Sequence, residues 1–340
     1  GARGASARSK QLLKQALTRC DAVAVLKRKS KQTYQALKKL AQKIPLVGSI
    51  LSDREQLLRD CGFVPPGHFY SPIPSLAEIK QDEAKIFAAP SREILGIDLR
   101  EQQQLELLQA FLPYYTELPF PAQPNSSTRY HFENESYSYA DGILLYCMLR
   151  HLQPNRLIEV GSGFSSCVTL DTNELFLDQS VELTFIEPYP ELLLSLMRES
   201  DQKKSRILPH RLQDVDVELF DSLECNDILF IDSTHVAKIH SDVNIVFFEI
   251  LPRLKPGVYV HFHDIFFPFE YPKAWVYEGR AWNELYLLRA FLQYNSEFEI
   301  VLMNTFMEHF HTSFFAQHMP LCLKNRGGSI WIRRVMRDSV

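Results

Sequence analysis

Apolar positions change their rhythm along this chain. Over residues 8–45 they recur at helical spacing (Leu12, Leu13, Ala16, Leu17, Val23, Leu26), which predicts one or two amphipathic helices. From Cys61 the segment CGFVPPGHFYSPIPS is too rich in proline and glycine for a helix or a central strand. Helical spacing returns over roughly 98–112, and a second proline-rich stretch, LPFPAQPNSS, marks a boundary near 120–127. Beyond about residue 138 short apolar runs alternate with helical patterns. RLIEV (156–160), ELTFIE (182–187), a short SRILPH, DILFID (227–232), GVYVHFHD (257–264), FEIVLMN and SIWIRR read as strands. Between them, helices are expected over 140–151, in VTLDTNELF and PELLLSLMRES, over about 240–252 and in AWNELYLLRAFLQYN. Such alternation predicts an α/β fold with a doubly wound, mostly parallel sheet, its strands covered on both faces. Three regions follow: a helical arm over 1–60, an irregular and helical accessory region over 61–126, and a ligand-binding domain over 127–340.

Charge sharpens this division. The 340 residues carry a net charge of −4, yet residues 1–60 hold 14 Lys/Arg against 4 Asp/Glu, so the arm is basic and the body acidic. A basic arm suits an anionic membrane surface or a partner subunit, and a homo-oligomer is expected. An acidic body without a basic stripe argues against nucleic acid as a partner. No uncharged apolar run approaches the ~18 residues of a membrane span, and the first residues lack the apolar core of a secretory leader. The six cysteines lie far apart with no CxxC, which reads as buried thiols in a reducing, cytoplasmic compartment.

The chemistry concentrates in three places. In IEVGSGFSS a strand runs into Gly161 and Gly163, and a helix starts near Ser165. This is a cradle where a ligand lies against backbone and free N–H groups. Ser166 replaces the third glycine of a dinucleotide fingerprint, and Glu159 before the loop suits a cationic amino-acid cofactor better than a pyrophosphate. Glu187, at the end of the next strand, is placed to take the hydroxyls of a ribose. FIDSTH and HFHD then put Asp232, His235, His263 and Asp264 at the carboxyl ends of neighbouring strands. Asp232, His263 and Asp264 form an O/N set for a divalent ion such as Mg²⁺ or Mn²⁺. His235 has the intrinsic pKa of a base that works near neutrality, and without a metal His235 or His263 would act as the base. Downstream, Phe266, Phe267, Phe269, Tyr271, Trp275, Tyr277 and Trp282 form an aromatic wall over the acceptor or pack an excursion against the N-terminal region, and His68 and Tyr70 of GHFYSPIP are candidates to close over the pocket.

In order, EVGSGFSS, FIEP, DILFID-x-x-H and LKPGVYVHFHD resemble the small-molecule O-methyltransferases of the Rossmann-like S-adenosylmethionine (SAM) superfamily, in the branch of caffeoyl-CoA, catechol and macrocin O-methyltransferases. The resemblance covers about residues 136–265. It implies that Glu159, Gly161, Gly163 and Glu187, with Ser165 at the helix start, hold SAM, that the upstream pair beginning at Asp141 belongs to the same site, and that Gln213 stands in for a Gly-Asp pair beside the adenine. It further implies that Asp232 and the His263–Asp264 pair take the metal positions, His263 replacing a carboxylate, and that His235 occupies a catalytic position. The implied reaction is O-methylation of a sugar or phenolic hydroxyl. A nicotinamide-dependent oxidoreductase on the same sheet, or an N-methyltransferase, stands as the alternative.

Overall fold

The computed structural model describes residues 62–335, so the helices expected over 8–45 and the basic arm lie outside the described residues. These fall into two compact units that divide after Gln81. In the first, the prolines keep the backbone in turns and bends until the short helix Leu76–Gln81. There His68 stacks on Phe69 at 4.3 Å, and Phe69 and Tyr70 are exposed.

The second unit is built on a seven-stranded sheet. Its strands are β1 (Arg156–Val160), β2 (Glu182–Ile186), β3 (Arg206–Leu208), β4 (Ile228–Ile231), β5 (Tyr259–His263), β6 (Phe298–Met303) and β7 (Ser329–Arg334). They lie in the order β3-β2-β1-β4-β5-β7-β6. β1 pairs in parallel with β2 and β4, β2 with β3, and β4 with β5; β7 runs antiparallel to both β5 and β6. The expected doubly wound, mostly parallel α/β sheet is therefore present. β4 and β5 are buried at every position, as strands covered on both faces must be.

Five helices matter for the site: α1 (Glu101–Ala110), α2 (Tyr139–Leu152), α3 (Phe164–Phe176), α4 (Glu284–Leu292) and α5 (Asn304–Phe310). The apolar run of α2 buries nearly all of its sides, which makes it a core helix. Core packing begins well upstream of the proline-rich stretch: Leu108 and Phe111 are fully buried, and Phe120 stacks edge-on against Tyr130 and Tyr146. Residues 120–127 thus lie inside the second unit.

Several elements differ from expectation. In place of one helix over about 240–252, Asp242–Ile245 leads into a π-turn (Val246–Ile250) and a 3₁₀ turn (Leu251–Arg253), because Pro252 has no N–H to donate. PELLLSLMRES breaks into Glu191–Leu196 and Glu199–Lys204, where the Arg198 N–H turns to the Asp201 carboxylate at 2.7 Å. Two helices between β6 and β7, α5 and Thr312–His318, had no sequence counterpart. Cys147, Cys167 and Cys322 are buried free thiols as expected, but Cys225 is exposed, at a turn where it packs against Gly257. Among the described residues no helix is long and apolar enough to cross a membrane.

Candidate active site

Parallel strands bring their carboxyl ends to one edge of the sheet, and the loops there share a crevice. Gly161 leaves β1 with φ +78, and a Cβ at that position would stand 1.9 Å from the Asp232 carbonyl oxygen. Only glycine allows this approach, and it holds the loops after β1 and β4 in backbone contact. The Asp232 N–H donates to the Val160 carbonyl at 2.8 Å, which closes the junction.

On the cradle side, Glu159 is fully buried, with Oε1 accepting from the Ser165 hydroxyl at 2.5 Å and Oε2 without a partner. Burial pushes its carboxyl up to about 8 against the opposing hydrogen bonds from Ser165 and Ser166. A buried acceptor with one free oxygen is the feature a cationic ligand group would satisfy. Glu187 is set by two backbone donors, Ser162 N–H at 3.1 Å and Tyr189 N–H at 2.8 Å. The first of these ties it to the glycine loop, so Glu159, Gly161, Ser165 and Glu187 form one cradle. Gly163 is the N-cap of α3, and its Cβ direction is open except for Leu192 at 3.5 Å. These residues fit a ribose-bearing cation.

Residues 158–265 match the family model described as a methyltransferase domain. The chain is a methyltransferase. It belongs to the same family as an uncharacterised protein of Archaeoglobus fulgidus, 36% identical over 191 residues that span 53% of this chain and 82% of the relative. Among solved structures, an SAH-bound methyltransferase of Podospora anserina aligns with 82% of this chain and all of its own, at 14% identity and a TM-score of 0.38. An O-methyltransferase of Streptomyces achromogenes involved in tomaymycin synthesis, in complex with SAM, aligns with 76% of this chain and 96% of its own, at 14% identity and a TM-score of 0.37.

On the other side of the Gly161 junction the methyltransferase gathers His235, Asp232 and Asp264. His235 Nε2 lies 3.4 Å from Asp232 Oδ1 and 3.6 Å from Asp264 Oδ2, and its Nδ1 bonds Glu284 Oε2 at 2.8 Å. Both His235 (φ +60) and Asp264 (φ +57) adopt left-handed backbone, an outlier for such residues that the surroundings must enforce. For His235 the enforcement is visible: its carbonyl accepts from the Asn283 and Glu284 N–H groups, its own N–H donates to the Ser233 hydroxyl, and its ring lies 4.4 Å from that of Trp282.

Two expectations need correction. Burial opposes a charge on His235, but hydrogen bonds to Asp232 and Glu284 outweigh it and lift the pKa to about 10. His235 is therefore a cation at neutral pH, not a resting base. The ligand set Asp232, His263 and Asp264 does share the crevice, yet among the described residues no three His, Cys, Asp or Glu side chains converge as a metal-holding group. The His235 imidazolium lies between the two aspartates, and His263 Nδ1 is buried without a partner. As arranged, these residues do not fit a divalent ion.

The remaining candidates are dispersed. Both oxygens of Asp141 accept from the Gly328 N–H (3.2 and 3.3 Å), and Oδ1 also accepts from Asn304 Nδ2. It serves the entry to β7, within electrostatic reach of His263 and Asp264; burial, partly offset by His263, raises it to about 6. Gln213 Nε2 donates to the His240 carbonyl at 3.0 Å, outside the cradle's hydrogen-bond network. Of the aromatic segment, Phe269 is turned into the core and Phe267 packs on Phe306 and Phe310. Trp282, Trp275 and Phe266 form a continuous run of rings, with centroids 5.5 and 5.1 Å apart.

Sequence reasoning missed Glu284. It is 1% exposed and shares itself between Ser233 Oγ (2.9 Å) and His235. A signal existed: the buried stripe of α4 is Glu284, Leu285, Leu288 and Leu292, so an acid stands where the helical period calls for an apolar residue.

Proposed function

We propose that this methyltransferase transfers its methyl group to a hydroxyl of a small molecule, a sugar or a phenol. The observation that carries this is the Gly161–Asp232 contact, which sets the cradle directly against the Asp232–His235–Asp264 cluster. SAM, when bound, supplies an electrophilic methyl on a cationic sulfur. The chain must then place an acceptor oxygen in line with it and receive its proton. Burial pushes the Asp264 carboxyl up, which makes it the better proton acceptor. Burial acts the same way on Asp232, but His263 and His235 overcome it and hold that carboxyl down, ionised, as a hydrogen-bond acceptor that orients the hydroxyl. The His235 cation, steadied by Glu284, stabilises the oxyanion as it develops.

A SAM-dependent methylation screen over glycosides, phenols and amines, run with EDTA and with added Mg²⁺ or Mn²⁺, tests this. Product on a hydroxyl, with turnover indifferent to EDTA, is expected. Methylation confined to amines would overturn the hydroxyl assignment, and loss of turnover with EDTA would restore a metal.

A further inference from the structure

We propose that the acceptor is an elongated molecule of at least two rings with a carboxylate at the end remote from the reacting hydroxyl, and that the carboxylate is read by Arg326. This rests on the hydroxyl-methylating function proposed above and names its substrate class.

A cavity of about 400 Å³ opens beside the excursion that follows Asp264, with Phe266, Phe267, Tyr271, Phe87 and Pro90 in its walls and Arg326 and Gly327 at one side. All its lining groups from the sheet's loops lie at the reacting edge. Phe266 follows β5, Thr305 follows β6, and Gly327 precedes β7, whose Ser329 pairs with His263. Gly327 itself abuts the Asp141 carboxylate, where a Cβ would stand 2.1 Å from Oδ2.

Rings link this cavity to the reacting cluster. From His235 the path runs to Trp282 (4.4 Å), Trp275 (5.5 Å) and Phe266 (5.1 Å), which lines the cavity. Arg280 lies over both tryptophans. Planar or sugar rings stack on such surfaces, and a path of three aromatic side chains is longer than one ring can cover.

Charge then selects the remote group. Lys273 is paired with Glu83 at 2.6 Å, and Glu270 accepts from the Tyr271 N–H and the Tyr286 hydroxyl. His309 packs edge-on against Phe310. Arg326 is exposed and makes no ion pair among the described residues. A single open guanidinium matches a carboxylate through a two-pronged hydrogen bond, whereas phosphate sites gather several donors. A larger cavity of about 510 Å³ at the amino end of β2 offers no such group, because its Arg129 already binds Asp171, Glu174 and Asp201.

The test is calorimetric binding of 4-hydroxyphenyl β-D-glucuronide and 4-hydroxyphenyl β-D-glucoside, whose phenolic hydroxyl lies at the end remote from the sugar's C6 group, to the full chain with S-adenosylhomocysteine present. The glucuronide is expected to bind about tenfold tighter or more, the scale of a charge-assisted hydrogen bond. That advantage should vanish in Arg326→Gln and survive in part in Arg326→Lys. Equal binding of the two glycosides by the parent chain, no binding of the glucuronide, or an advantage that persists in Arg326→Gln overturns the proposal. Methyl transfer to either glycoside is scored separately. Transfer without the binding preference leaves the hydroxyl-methylating function standing and removes the carboxylate site, and preference without transfer does the reverse.

Discussion

Glu284 Oε2 holds His235 Nδ1 at 2.8 Å, and the same residue's backbone N–H donates to the His235 carbonyl. One residue thus fixes both the ring and the left-handed backbone of the cluster's cation. Glu284→Gln should keep the fold, lower the His235 pKa in an NMR titration and slow methyl transfer by about 10²-fold or more, the scale of a positioned acid–base group. An unchanged titration with unchanged turnover would remove Glu284 from this role.

The charge on His235 also couples to stability. Its folded pKa of about 10 lies above its ordinary value, so the stabilisation is whole below pH ~6.5 and is lost as pH climbs through 10. Melting curves of the parent and His235→Asn should therefore lie furthest apart near pH 6.5 and converge by pH 10. A gap that stays constant across this range would contradict the ion-pair account.

Glu159 predicts a proton release. With its carboxyl raised to about 8, the unliganded protein holds that proton at pH 7, and a cationic ligand against Oε2 must expel it. Calorimetry of SAM binding in buffers of different ionisation enthalpy should show the release in the parent chain and its loss in Glu159→Gln.

At Gly161, alanine must either move the Asp232 carbonyl or leave φ +78. Gly161→Ala is expected to cost about 2–3 kcal/mol in denaturant unfolding and to abolish SAM binding. Retained cofactor affinity would show that the two loops can separate without harm.

Arg129 offers a test of structure alone. Its side chain, 4% exposed, binds Asp171, Asp201 and Glu174. Arg129→Ala should destabilise by about 3–5 kcal/mol, because the buried Asp171 and Asp201 are left without their cation, while Glu174 keeps Arg198. A loss below about 1 kcal/mol would mean that water reaches them freely.

The strands and the glycine cradle were legible because short apolar runs ending in glycine or an acid carry a local signal. β1 occupies the five residues expected of it, Glu187 accepts from Ser162 in the glycine loop, and Glu159 accepts from Ser165 just beyond it. What sequence could not show is pairwise. The separation of 49 positions from His235 to Glu284 hides a hydrogen bond that turns a presumed base into a cation and puts that cation where a metal was expected. The place of β7 was equally hidden, because an apolar run such as SIWIRR does not state its direction or its neighbour. α5 escaped notice because NTFMEHF mixes buried and half-exposed residues over seven positions, too few to establish a period.

The antiparallel β7 also imposes an order in time. Every residue of the cradle, and Asp232 and His235, leaves the ribosome before β5 is made. The strand that separates β5 from β6, and the Gly327–Gly328 step that engages Asp141, come last of all the sheet. Until then β6 has no hydrogen-bonding neighbour, and the sheet carries a one-strand vacancy beside His263. A nascent chain thus carries every cradle residue before the strand that fills the sheet beside His263 exists, and the sheet edge that bears Asp232 and Asp264 is completed only by that last strand.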